Sequence, residues 1–474
     1  MATVPDRPNF LLVVADHLSP RVMGRHGGAR SATPAMDAVA AGGTRFDRAS
    51  CVVPLCQPSR ASFWSGLPPH RTGVWSNGVA GQHPHHDPPV DPATPTLGSL
   101  FADAGYRAVH FGKRHDAGGL RGFDCAPVGE EPVEPAGGFG VNADTRRDAA
   151  ATRGCVDFLE EHPAGEPFFA VADLNNPHNV CGWVGEHAGE PEGLDPDAAD
   201  LPGLPPNFRV DDLSQRPDPV SYLCCSHPRQ AQAARWGPLA FRHYLRAYRH
   251  YAGLADGCFA RIHAALRSRG DAEKTVVVLM SDHGDGQASH GMVTKQTCFY
   301  EQFVRVPLVF AGPRIRAGTL PPLVSLLDLL PTCCDLAGID VPADKPGLSL
   351  VPWLRGRTPA RWRDHVAAAW LTEWGYTASP GRMLREDRFK YAAYRTSGGS
   401  DLQEELYDLH ADPWETRTLH REPAFRGELE RLRARLLAEV AEGGDPFFEQ
   451  PVRVPDGARR HPVGFANHRG PAFQ

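Results

Sequence analysis

Four short apolar runs constrain this chain more than anything else in it. "NFLLVVAD" closes on Asp16, "YRAVHFGK" on Lys113, "PFFAVADLNNPH" on His178, and "KTVVVLMSDH" on Asp282 and His283. Each is rich in Val, Leu or Phe without polar alternation, the pattern of a strand buried on both faces. Such strands need helices on either side, and candidates lie between them. "TPAMDAVAAGG" offers Thr33 as N-cap, Pro34 at the first helical position and Gly42 as a stop. "TPTLGSLFADAG" repeats that Thr-Pro start. "FRHYLRAYRHYAGLADGCFARIHAALRSRG" is a long amphipathic stretch just before the last of the four runs. The alternation predicts a doubly wound α/β sheet. In open sheets of this kind ligands bind outside the carboxyl ends of the strands. The polar residues that end the four runs should therefore converge on one site.

Composition narrows what the site acts on. The 474 residues carry a net charge of −6 with no basic run, which argues against nucleic acid. No stretch approaches the ~18 apolar residues of a membrane span. The start, "MATVPDRPNFLLVVAD", lacks the basic and apolar regions of a signal peptide. The 11 cysteines are odd in number and scattered, which resembles reduced, cytoplasmic usage. Past residue 355 the pattern changes. "DRFKYAAYR" and "EELYDLHADP" read as antiparallel strands around a Gly/Ser turn, and "AFRGELERLRARLLAEVAEG" as an amphipathic helix. The expected organisation is a catalytic domain over 1–355, a smaller α+β domain over 356–443 and an extended tail over 444–474. That tail is a candidate contact for a homo-oligomer. The Pro/Asp/Gly-rich segment 187–220 reads as a long loop.

The stretch "CQPSRASFWSG" supplies a nucleophile. Pro58 suits a first helical turn, which sets Cys56 at a helix N-terminus, where backbone N–H groups favour anions. Arg60 lies one turn on. A thiol, a helix N-terminus and an arginine make a receptacle for a tetrahedral oxyanion. The "GQHPHHDPP" segment clusters His83, His85, His86 and Asp87. It reads as an exposed, proline-broken loop rather than a second metal site.

The residues "CQPSR" followed by "SG" resemble the signature of the type I sulfatases, with Ser65 where Thr is usual. "ADH" at 15–17, "GKRH" at 112–115, "PH" at 177–178, "SDHGD" at 281–285, "TKQTCFYEQFVRVPLV" at 294–309 and "ELYDLHADPWETRTL" at 405–419 resemble further blocks of that family, in family order. The resemblance implies an alkaline-phosphatase-like fold: a large doubly wound mixed sheet domain with a smaller C-terminal α+β domain. It also implies oxidation of Cys56 to Cα-formylglycine by a formylglycine-generating enzyme, and one divalent cation, commonly calcium. Asp16, Asp282, His283 and modified Cys56 would be its ligands. His17 stands where many relatives carry a second aspartate; it either binds the metal or lines the site. Two histidines would soften the donor set toward manganese or zinc.

The resemblance further implies that Arg60, Lys113 and Lys295 neutralise the sulfate oxygens. Lys113 and Lys295 stand out in a chain whose cations are nearly all arginine. His115 and His178 would handle protons, with His178 favoured as acid and His115 as base. Asn77 and Asn176 lie beside motif positions and are candidate substrate contacts. The expected activity is hydrolysis of a sulfate ester, a carbohydrate sulfate before a choline-type or aryl ester. Phosphonate monoester or phosphodiester hydrolysis is the alternative within the superfamily. A sulfated-ligand binding protein without catalysis is the alternative outside it.

Overall fold

The computed structural model describes residues 7–24, 31–133, 142–189, 191–209, 216–217, 219–220, 228–233, 235–295, 298–396 and 401–453. Its larger sheet is built from β1 (Asn9–Ala15), β2 (Thr44–Ser50), β3 (Arg107–Gly112), β4 (Asp124–Cys125), β5 (Phe168–Leu174), β6 (Thr275–Met280), β7 (Leu308–Ala311) and β8 (Gly318–Ser325). The strand order is β4-β3-β5-β1-β6-β7-β2-β8. The block from β4 to β6 is parallel, β7 runs antiparallel to both its neighbours, and β2 pairs parallel with β8.

Burial on both faces explains the unbroken apolar runs. In β1, Phe10, Leu12 and Val14 enter one core with Phe46, Trp64 and Phe101, while Leu11, Val13 and Ala15 enter a second on the other face. Each such side chain contributes about 1.5–3 kcal/mol by leaving water. Helices α1 (Pro34–Gly42), α2 (Cys56–Ser65), α3 (Leu97–Asp103), α4 (Ala143–Glu161), α5 (Val180–Glu186), α6 (Pro238–Ser268) and α7 (Leu329–Ala337) cover the sheet. The Thr-Pro start expected for α3 is displaced. Its N-cap is Thr96, which accepts from the Ser99 N–H while Ser99 bonds back to the Thr96 backbone. That reciprocal cap satisfies two donors at once.

Register places the site. Val14 pairs with Asp173 on one side and Met280 on the other, and Gly112 also pairs with Asp173. The carboxyl ends of β1, β3, β5 and β6 therefore lie level, and Asp16, Lys113, Asp282 and the 174–178 segment leave the sheet together.

The C-terminal unit is an antiparallel sheet of order β12-β11-β10-β9, from β9 (His365–Trp370), β10 (Gly381–Glu386), β11 (Phe389–Arg395) and β12 (Leu402–Asp408). The Gly/Ser turn expected between β11 and β12 falls mostly outside the described residues. One sheet face packs Leu384, Phe389, Tyr391 and Leu406 on Leu432, Leu436 and Val440 of α8 (Arg426–Gly443). The opposite face sends Met383, Ala392, Tyr394 and Tyr407 into the core of the larger domain. Residues 444–453, expected to open an extended tail, are packed. Phe447 is buried in the small core, Asp445 pairs with Arg382, and Arg453 exchanges backbone hydrogen bonds of 2.7 and 2.8 Å with Ala378. Residues 454–474 lie outside the described residues, so the oligomer contact expected there does too.

Candidate active site

Cys56 is the first residue of α2, and every residue of that helix except Gln57 is buried. Its N-cap position, Leu55, has no capping side chain. Asn77 fills the role: its Oδ1 accepts the Gln57 N–H at 3.0 Å. Asn77 thus braces the helix start through its Oδ1. Gly66 closes α2 at φ 67°, a left-handed conformation that suits glycine.

Ligand-type atoms of Asp16, Cys56, Asp282 and His283 lie within 4.8 Å of one another, all buried. The Cys56 Sγ is 3.0 Å from His283 Nε2 and 3.7 Å from Asp16 Oδ1. His283 Nδ1 lies 2.8 Å from the Gly284 carbonyl, which fixes the ring with Nε2 turned into the cluster. Two carboxylates, one imidazole and an oxygen-bearing derivative of the thiol would suit a hard or borderline divalent cation, so the residues present fit the group.

Arg60, expected at the sulfate, is engaged by carboxylates of the cluster and beside it. Fully buried, it donates from Nε to Asp282 Oδ2 at 2.8 Å, from Nη1 to Asp173 Oδ2 at 2.5 Å and from Nη2 to Asp16 Oδ2 at 3.4 Å. It clamps the carboxylates. Asp173, which sequence reasoning missed, is the third of these; its signal was a carboxylate inside the apolar run "FFAVADL". Lys113 pairs with Asp16. Burial works against the Asp16 anion, but Lys113, His178, Arg60 and His283 outweigh it and hold Asp16 well below the carboxylate range.

Lys295 joins nucleophile and proton handler. Its Nζ donates to Cys56 Sγ at 3.5 Å and reaches His178 Nε2 at 3.1 Å. Burial and Asp16 favour the neutral thiol, yet Lys295, Lys113 and His283 outweigh them and lower the Cys56 pKa. Burial, then Lys295 and Lys113, push His178 well below its ordinary value. Burial, Lys113 and Arg60 push His115 down to about 3. His115 is therefore neutral in the free site.

His17 lies outside the four-residue cluster. It is fully buried at φ 71°, its ring 4.5 Å from that of His283 and 5.3 Å from that of His178, and neither ring nitrogen has a hydrogen-bond partner. Its Nδ1 is 3.8 Å from Asp285 Oδ2, and Tyr244 donates to the other Asp285 oxygen at 2.5 Å. Asn176 does not face the cluster with its amide. It and Asn175 donate four hydrogen bonds of 2.6–3.0 Å to Asp148 of α4, a second residue missed from sequence. This clamp sets the turn that carries His178. The histidine-rich loop is braced, too: Asp87 accepts the Trp75 and Ser76 N–H groups and pairs with His85, while His83 stacks on Trp374. Among the described residues it forms no metal-type cluster.

A mixed α/β sheet whose strand ends gather acids, lysines and a helix-start thiol defines the class: an alkaline-phosphatase-like esterase acting on an oxyanion. Comparison with known proteins narrows it. A family model for sulfatases matches residues 8–339, and one for the C-terminal region of N-sulphoglucosamine sulphohydrolase matches 288–442. A Delta 4,5-hexuronate-2-O-sulfatase of Bacteroides thetaiotaomicron is 42% identical over 475 residues, 99% of this chain and 96% of that protein. The solved structure of a 2-O GAG sulfatase superposes with a TM-score of 0.92 at 42% identity over 98% of each chain. The phosphonate monoester hydrolase of Agrobacterium radiobacter shares the fold, with a TM-score of 0.70 at 22% identity over 94% of this chain and 97% of its own. The chain belongs to the sulfatase family, and it is a sulfuric ester hydrolase.

Proposed function

We propose that this enzyme removes the 2-O-sulfate from a hexuronate at the end of a sulfated saccharide, releasing inorganic sulfate. The observation that carries the reading is the 42% identity, across 99% of the chain, to a relative named for that activity. The site chemistry supports it.

Asp16, Asp282, His283 and the derivative of Cys56 would hold one divalent cation, calcium first, with manganese or zinc suited by the imidazole. Oxidised by a formylglycine-generating enzyme, Cys56 would offer as its hydrate a nucleophilic hydroxyl and a second hydroxyl, and a cation held by Asp16, Asp282 and His283 would supply Lewis-acid activation there. The remaining work falls to this chain's own side chains. Lys113 and Lys295 neutralise the sulfate oxygens in a buried site, where such contacts are strongest. Arg60 holds three carboxylates in place. His178, once the charge of the bound sulfate favours its protonated form, delivers the proton to the departing sugar oxygen, and Lys295 at 3.1 Å from its Nε2 orients the ring. His115, neutral in the free site, takes the proton whose loss expels sulfate. A reducing compartment suits the nine described cysteines, all of them free; among the described residues no helix is long and apolar enough to cross a membrane.

Two measurements test the reading. Mass spectrometry of the tryptic peptide bearing Cys56, after co-expression with a formylglycine-generating enzyme, should show the aldehyde. Sulfate release should then be fastest from an unsaturated 2-O-sulfated hexuronate disaccharide, slower from 6-O- or N-sulfated glucosamine. Faster turnover of a phosphonate monoester than of any sulfate ester would replace this reading with the phosphonate one. Unmodified thiol in a host that converts a control sulfatase would bring forward the binding-protein reading.

A further inference from the structure

A polar cavity of about 140 Å³ lies between the catalytic domain and the C-terminal sheet, away from the cluster described above. Its walls come from the segment after β1, the 301–305 turn and β10. Three guanidinium groups line it: Arg21, Arg305 and Arg385. Four cations, Lys390 included, face three carboxylates: Glu301, which also lines the cavity and is held down at about 2 against burial by Arg385, Lys390 and Arg305, Asp47 beside Arg305, and Glu415. Glu301 lies 3.6 Å from Arg385 Nε but is shared with Lys390 at 3.4 Å. Glu415 is paired with Lys390, and burial pushes it up to about 7. Arg21 has a hydrogen bond to Ser289 Oγ at 2.8 Å and sits 4.1 Å from the Trp414 ring centre. Burial and the like charge of Arg305 push it down to about 9.

Gln302 supplies a second, independent observation. It lines the same cavity, is 3% exposed, and neither its Oε1 nor its Nε2 has a hydrogen-bond partner. The Nε of Arg305 is likewise buried without one. Buried polar groups are ordinarily satisfied, so each such atom calls for a partner. A water would satisfy the amide and leave the cationic surplus untouched. An anion with several oxygens accepts from the Gln302 Nε2 and Arg305 Nε donors and balances the surplus charge, a water being left to donate to the Gln302 Oε1, and guanidinium forks match such oxygens in pairs.

We propose that this cavity is a binding site for a small tetrahedral oxyanion, inorganic phosphate or sulfate, separate from the active site. Its occupant would tie the 19–21 and 301–305 segments of the catalytic domain to Arg385 of the C-terminal sheet. Both segments lead to the active site. The 301–305 turn packs against Gly284, whose N–H donates to the Phe303 carbonyl at 2.9 Å and whose carbonyl fixes His283. Ser19 lies three residues past Asp16, and its N–H donates to Tyr248, which donates to the His17 carbonyl. Occupancy should therefore stabilise the whole protein.

The test is a thermal titration of the metal-loaded enzyme with millimolar phosphate and, separately, sulfate, at constant ionic strength against chloride. The expected rise in Tm is roughly 2–5 °C at saturation. Gln302→Leu and Arg305→Met should lose it while product inhibition by sulfate stays within twofold of wild type. Lys295→Ala should keep the Tm rise and lose the product inhibition. A larger rise with phosphate identifies a phosphate site; a larger one with sulfate identifies feedback by the reaction product, and both support the proposal. No rise, or a rise that survives Gln302→Leu and vanishes in Lys295→Ala, overturns it by assigning the ion to the active site.

Discussion

Arg60 offers the sharpest test of how this site is assembled. Replacing it with methionine keeps bulk and removes a fully buried guanidinium that three carboxylates share, with contacts of 2.8 Å to Asp282, 2.5 Å to Asp173 and 3.4 Å to Asp16. Removing one partner of a buried pair costs about 3–5 kcal/mol, because the charge left behind stays desolvated. Three partners are stranded here, and Lys113 offsets part of the loss at Asp16. The expected destabilisation is about 5 kcal/mol in chelator and about 3 kcal/mol with the cation, which can take up some of the stranded charge. Against a typical total of about 5–15 kcal/mol the variant still folds in the cold. Urea denaturation at 25 °C, with and without chelator, measures both values. Asp173→Asn removes one of the stranded charges, so the double variant Arg60→Met/Asp173→Asn should be less damaged than the sum of its parts by about 2 kcal/mol. Additivity within about 0.5 kcal/mol would refute the clamp, and a large loss of kcat/KM with stability unchanged would restore Arg60 to the sulfate.

Three further outcomes follow from named contacts. Asp148→Asn turns an amide toward the donors of Asn176, so stability should fall by about 2–4 kcal/mol. The shifted His178 should lower kcat roughly 10- to 100-fold with KM nearly unchanged, and an equal loss in KM would count against a positioning role. Chelation of the loaded enzyme should lower stability by about 2.7 kcal/mol relative to cation at 100 times its Kd; no change in Tm on chelation would empty the proposed cation site of meaning. His365 on β9 is flanked by Glu439 at 2.8 Å, Asp364 at 2.9 Å and Arg435 at 2.6 Å. Burial opposes its charge, Glu439 and Asp364 outweigh burial and Arg435, and its pKa is raised. Its stabilisation is complete below about pH 6.5 and fades as pH climbs through the higher folded value. His365→Gln should therefore narrow its Tm gap to wild type between pH 6 and pH 9, and a constant gap would contradict that sign.

The parts of the site that were legible are those the backbone dictates. Strands β1, β3, β5 and β6 are uniform apolar runs because both faces are buried, and a strand's end is where its polarity changes. Asp16, Lys113, Asp282 and His283 could be read for that reason. The β9 and β10 segments, "HVAAAW" and "GRMLRE", were not legible. They are poor in β-branched residues, and what makes them strands is the packing of Met383 and Leu384 into two different cores. That is tertiary context overriding a weak local preference.

Asp148, Asp173 and the true setting of Arg60 were hidden for a related reason. Sequence spacing shows which residues share a motif, not which partner exhausts their hydrogen-bonding capacity. A motif arginine one turn from a nucleophile is read naturally as an anion receptor. Yet the register that levels β1, β5 and β6 also brings three carboxylates to its guanidinium. Sulfate then has to be held by groups that retain donors toward it. Lys295 is one: its ammonium has three, of which one meets His178 and one the Cys56 sulfur. A lysine in that position can turn to a new anion as the reaction proceeds, whereas a guanidinium locked by three acids cannot. Whether the arginine shapes the site through its acids is what the Arg60 and Asp173 cycle would measure.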